Sequence, residues 1–262
     1  MMKPDTSEWK PITREHAAST GWIFRDNGYG TITRALDEWI ITDREQRSFM
    51  TFSLMLANAH WTKISDQVAT MPTFDSGPDH SDLLFDRLDG LMPHDYEWML
   101  FSGILKDAVT AYEVYLANAM DEVLLRQGLQ RKDKSTAPSR LELEGFYAVL
   151  GLKPQAQGVS HVVRLRNLLT HVRGRLHNSK ERARYGRGSG VFVGDIAHLD
   201  ERRVLRHMET LGRAIHRLDP VLWAYAWKRG SQIPPELIIT ETVEEAPPRN
   251  PGLERFADLV PE

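Results

Sequence analysis

An all-α fold is predicted by three observations on this sequence. Apolar residues recur at three- and four-residue intervals over long stretches, the spacing that gathers them on one side of a helix. Prolines, glycines and polar capping residues fall between those stretches. Extended patterning is confined to one short run, Val191-Phe192-Val193. The expected architecture is a helical bundle with an N-terminal helical extension and an irregular acidic C-terminal tail.

Taken in order, residues 1–33 read as irregular, because Pro4, Pro11 and the cluster Asp26-Asn27-Gly28-Tyr29-Gly30 favour turns. Trp9, Trp22, Ile23 and Phe24 nevertheless mark this arm as one that packs on something. A helix is expected from after Thr33 to about Thr70, carrying Leu36, Trp39, Ile40, Phe52 and Leu56, and broken by the Pro72–Pro78 region. A short helix from Ser81 to Leu91, capped by Ser81, ends at Pro93. The most regular pattern runs from about Asp95 to Arg126, through Leu100, Ile104, Ala108, Tyr112, Tyr115, Ala119 and Val123, with Gly128 as terminator. Residues 129–138, with Arg131, Lys132 and Lys134, read as a basic loop, and Ser139–Leu150 as a short helix.

A further helix is expected from Val159 to His177. The stretch Asn178–Gly194, rich in Arg and Gly, reads as a loop. The last helix runs from Asp200 to about Lys228, with Pro220 expected to kink or divide it. The proline-rich, acidic stretch 231–262 reads as an extended tail. The domain organisation expected is an extension over 1–93, a helical domain over 94–230 and the tail.

Composition narrows the function classes. With 262 residues, 41% hydrophobic and 26% charged, the chain reads as an ordinary soluble globular protein. It has no cysteine, which excludes a disulfide framework, a Cys-based zinc site and a Cys nucleophile, and suits a cytoplasmic setting. The first residues lack an apolar run with a basic flank, so no signal peptide is expected. No apolar stretch has the length of a membrane span. The net charge of −3 conceals a division: residues 1–122 hold 10 Lys+Arg against 20 Asp+Glu, residues 123–230 hold 21 against 9, and residues 231–262 hold 2 against 7. A basic block between acidic ends is the footprint of a polyanion-binding surface.

The chemistry concentrates in Arg166-Asn167-Leu168-Leu169-Thr170-His171. Arginine is a permanent planar donor fork for phosphate oxygens, and histidine exchanges protons near neutral pH. Metal-free cleavage of an RNA phosphodiester needs those two functions. On a helix, Val162, Leu165, Leu169, Val172 and Leu176 form the core stripe, and Arg166, Asn167, Thr170, His171 and Gly174 share the outer face. Arg166 and His171 stand about 140° apart, so the two-fold pairing of two such helices, with low-profile Gly174 beside the axis, would relax the separation. Asn167 and His171 form an i,i+4 pair in which the amide can orient the imidazole. Between His161 and Arg187 there are eight Lys+Arg and one acid, Glu181. The expected RNA-binding set is Arg164, Arg173, Arg175, His177, Lys180, Arg182, Arg184 and Arg187. Taken singly, Arg173, Arg175 and Lys180 read as solvated helix-face residues.

With Asn directly after the Arg and the His five positions beyond it, this stretch resembles the HEPN superfamily, all-helical domains with an Arg-x(4–6)-His signature. The resemblance covers about residues 94–229. It implies a metal-independent endoribonuclease with no cofactor, commonly a toxin or antiviral-defence effector, with Arg166, Asn167 and His171 as its catalytic residues. It also implies a homodimer and, as a further partner, an antitoxin or another defence-system protein. Similar helices carry an acid directed at the motif, a place that Glu113 occupies, so Glu113 and Thr170 are expected to support the site. One HEPN subclass has a modifiable Tyr two residues after the His; here that position is Arg173.

Other chemistries fit less well. His80 and His94 lie among Asp79, Asp82, Asp86 and Asp95 without the ligand spacing of a metal site. Gly186-Arg187-Gly188-Ser189-Gly190 lacks the Lys and Ser/Thr of a P-loop and reads as a flexible basic loop. Arg202 and His207 repeat the Arg-His spacing without the Asn and read as a coincidence. Trp223, Tyr225 and Trp227 read as core anchors rather than base-stacking residues. The competing reading is a non-catalytic helical module that binds RNA or a protein partner.

Overall fold

The computed structural model describes residues 9–11, 32–72, 77–88, 92–127, 129–131, 137–186 and 196–227. Among these residues the fold is all-helical apart from one two-stranded pairing. The expected tail and the extended run Val191–Val193 lie outside the described residues.

The helix α1 (Arg34–Ala69) begins where Thr33 accepts a hydrogen bond from the Leu36 amide, an N-cap. Its start is also tied to the rest of the bundle. The buried carboxylate of Glu122 accepts from the Arg34 and Ala35 amides at 3.1 and 3.2 Å, and Asp219 accepts from the Thr33 backbone and hydroxyl. Free amide donors at a helix start favour such carboxylates. The short α2 (His80–Arg87) is capped by Asp79 in a capping box with Asp82, which displaces the cap expected at Ser81.

The long α3 (Pro93–Arg126) is the central element. Pro93 opens it rather than ending its predecessor, since a first-turn proline gives up an amide that has no partner there. One side of α3 receives α1 and others receive α5 and α7, so 15 of its 34 residues are buried. The strand β1 (Trp9–Pro11) pairs antiparallel with β2 (Leu129–Arg131), placing Trp9 opposite Arg131. This corrects two expectations. Residues 9–11 are not irregular, and Arg131 belongs to no basic loop: it is buried and forks onto Asp121 at 2.9 and 3.3 Å.

The helix α4 (Arg140–Val149) starts with a capping box between Ser139 and Glu142. Then come α5 (Gln157–His171), α6 (Ser179–Tyr185) and α7 (Glu201–Trp227). The last is not divided at Pro220, which sits on an exposed turn where the lost amide bond faces solvent. Ala35, Leu36, Trp39 and Met50 of α1 join Leu105, Val109, Ala119, Leu165, Met208 and Ile215 in one hydrophobic cluster. Gly212 of α7 lets the Trp39 ring approach so closely that a Cβ there would lie 3.0 Å from it.

Three tyrosines of the core carry their hydroxyls to fixed acceptors. Tyr112 donates to the Pro154 carbonyl, Tyr147 to the Leu116 carbonyl and Tyr115 to Asp219. Burial pushes all three phenols up, so they remain neutral donors.

Candidate nucleic-acid site on α5

Val162, Leu165 and Leu169 are buried on one side of α5, as the helical spacing requires. The helix ends earlier than its apolar pattern predicts, at His171 instead of His177. The cause is local. Arg173 and Gly174 both adopt positive φ (50° and 74°), and the Gly174 amide reaches back to the Leu168 carbonyl at 2.9 Å. This left-handed turn closes the helix. Leu176 remains buried although it lies beyond the helix.

Gly174 is therefore not a low-profile residue on an open face. It is buried, and a Cβ on it would meet Trp98 at 3.0 Å and Leu169 at 3.2 Å. The Trp98 indole donates to the Ala197 carbonyl, and the Ala197 amide donates to the Gly174 carbonyl, so the turn after α5 is held on α3. This packing corrects the expectation that Gly174 lies on an open outer face beside Arg166 and His171.

Arg166 leans from α5 toward α3, where its Nη2 donates to Glu113. Its side chain is 22% exposed and that of Glu113 43%. The Arg166 Nε is buried and has no hydrogen-bond partner among the described residues. Arg166 and Asn167 line a groove of about 500 Å³ between α3, α4 and α5, together with Glu113, Leu143, Gln155 and Val163. Arg140 also lines it, held to Glu144 at 2.7 Å. Arg140 went unselected above, its only signal being its place at the start of a helix within the basic block.

His171 is exposed, at the last position of α5, and does not line that groove. No hydrogen bond links it to Asn167 or to any other described residue. Thr170 is likewise exposed. The structure thus brings together Arg166, Asn167 and Glu113, and leaves His171 one turn away on open surface.

The expected loop 178–194 contains a helix, α6, started by Asn178, whose side chain accepts from the Glu181 amide at 2.9 Å. Glu181, the one acid of the basic stretch, is buried. It accepts from Arg164 Nη2 at 2.9 Å and from the His177 amide at 2.9 Å, and these donors hold its carboxyl below the usual carboxylate range. Arg164 is thus paired with Glu181 through one edge of its guanidinium, while its side chain stays 57% exposed. The His177 side chain, Arg173, Arg175, Lys180, Arg182 and Arg184 are exposed. Arg187 lies outside the described residues.

The second Arg-His spacing separates in the fold. Arg202 is exposed, while His207 is set into the surface between α5 and α7, where burial first and then Arg203 and Arg206 depress its imidazole to about 4. Arg206, Arg213 and Arg217 are exposed along α7 and extend the basic surface. Their seven- and four-residue spacing was the available signal for a shared face.

No family model, curated protein or solved structure matches this chain. No helix among the described residues is long and apolar enough to cross a membrane.

Proposed function

We propose that this chain is a metal-independent endoribonuclease of HEPN type, acting as a toxin or antiviral-defence effector in the cytoplasm, with Arg166 and Asn167 for the phosphate and His171 for the proton. The reading is carried by Arg166, a guanidinium at a groove wall, oriented by one partly exposed carboxylate and next to a carboxamide. In the reaction the ribose 2′-oxygen bonds to the adjacent phosphorus and the 5′-oxygen leaves. The products are a 2′,3′-cyclic phosphate and a 5′-hydroxyl. His171 exchanges the proton, and Arg166 stabilises the charge of the crowded phosphate. The resemblance further implies a homodimer and a protein partner such as an antitoxin.

The exposed imidazole of His171, outside the Arg166 groove and without a hydrogen-bond partner among the described residues, favours a second reading, a module that binds RNA without turnover. Incubating the purified protein with total RNA in EDTA, beside His171→Ala and Arg166→Lys, separates the two. Cyclic-phosphate ends that appear with wild type and vanish with the variants support the enzyme. Intact RNA bound equally by all three proteins leaves only the binding module.

A further inference from the structure

The apolar residues of α1 fall on two faces. Ala35, Leu36, Trp39, Met50 and Val68 are buried in the bundle. Phe49, Phe52 and Leu56 are 60%, 59% and 56% exposed, flanked by exposed Ile41 and Met55. An exposed cluster of this size is of the order at which soluble monomers rarely leave a patch uncovered. It belongs to a long helix that is already folded, so no ordering of the backbone is needed for it to dock.

The stripe has an internal order. Glu45, Phe49, Phe52, Leu56, Ala59 and Lys63 are all exposed and follow one another at intervals of four, three, four, three and four residues. That is the seven-residue repeat of a helix-pairing seam. The stripe is also nearly palindromic about position 54: Phe52 mirrors Leu56, Phe49 mirrors Ala59, and Glu45 mirrors Lys63. A second α1 laid antiparallel in that register meets apolar residues with apolar residues along its centre. At the two ends it sets Glu45 of each copy against Lys63 of the other. Parallel pairing would instead stack Glu45 on Glu45 and Lys63 on Lys63.

From this symmetry we infer that the stripe is covered by a second copy of the same chain, with the two α1 helices antiparallel and centred on position 54. A two-fold contact requires a self-complementary surface, and this one complements itself in both shape class and charge. The contact is separate from the Arg166 groove. On α3, Asn118 bonds to Glu38 of α1, whereas Glu113 turns to Arg166 of α5. The inference stands whether or not the chain cleaves RNA.

The test is sedimentation equilibrium of the full chain over a range of concentrations. The expected species is a dimer of twice 30.0 kDa. Phe52→Glu should give a monomer with unchanged helical circular dichroism. Glu45→Lys and Lys63→Glu, each placing like charges together twice, should each weaken the dimer by roughly tenfold. The double variant Glu45→Lys/Lys63→Glu should regain wild-type affinity, which a merely structural role for either residue would not produce. A wild-type monomer at all concentrations would overturn the inference, and would assign the stripe's cover to another part of this chain or to a different partner. A dimer indifferent to Phe52→Glu, or a double variant no tighter than the singles, would overturn it as well.

Discussion

Arg166 on α5 and Glu113 on α3, 53 positions apart in sequence, are joined by a charge-assisted hydrogen bond at the edge of a groove. The pair fixes the direction of one guanidinium edge at the groove wall. Because Glu113 is substantially exposed, the pair contributes little to stability, about 0–1 kcal/mol. Its consequence is orientation.

Glu113→Gln keeps the shape of the acid and removes its charge. In the proposed ribonuclease this should lower single-turnover cleavage by about 10- to 100-fold through misplacement of Arg166, with a change in melting temperature of only a degree or two. His171→Ala should cost on the order of 10²–10⁴-fold while RNA binding persists. Cleavage rates and binding isotherms on the same RNA check both expectations. A Glu113→Gln protein that cleaves as wild type does would remove Glu113 from the site.

Glu122→Ala should be among the most destabilising single changes. It strips two amides at the start of α1 of their buried acceptor, and an unsatisfied buried group costs about 1–3 kcal/mol. A loss of about 2–4 kcal/mol in urea unfolding is expected once the cavity is included. Glu122→Gln retains an acceptor oxygen and should lose less.

Two glycines should respond in opposite directions. Gly174→Ala forces a side chain into a positive φ and against Trp98, so about 1–3 kcal/mol of stability should be lost. Gly103, inside α3, has nothing within 4 Å of the place its Cβ would take. Gly103→Ala should therefore stabilise by about 0.5–1 kcal/mol through helix propensity. Thermal melts of the two proteins test the contrast directly.

His207 sets an acid limit. Its folded imidazole lies at about 4, below the ordinary 6.5, because burial disfavours its charge. The unfolded chain therefore takes up the proton first. The stability due to neutral His207 is fully present above pH 6.5 and is lost as pH falls through the folded value near 4. His207→Gln should flatten the unfolding free energy over that window by on the order of 2–3 kcal/mol. An unchanged acid limb would show that other groups govern it.

Sequence periodicity by itself determined the all-α class and the approximate bounds of α1, α3, α4 and α7, because a 3.6-residue repeat sustained for several turns has one stable arrangement. The Arg-Asn-x-x-x-His spacing marked Arg166, Asn167 and His171, and the HEPN resemblance pointed to Glu113. The tertiary structure decided matters that depend on distant partners. The apolar pattern of α5 continues to Leu176, yet the helix stops at His171, since Gly174 is held in a cap by Trp98 and Ala197. Arg164 and Arg131 read as cations of basic stretches, and the fold pairs them with Glu181 and Asp121. A local pattern records which face of a helix is apolar. Only the packed chain records which charges find one another, and which apolar face, such as Phe49-Phe52-Leu56, is left exposed.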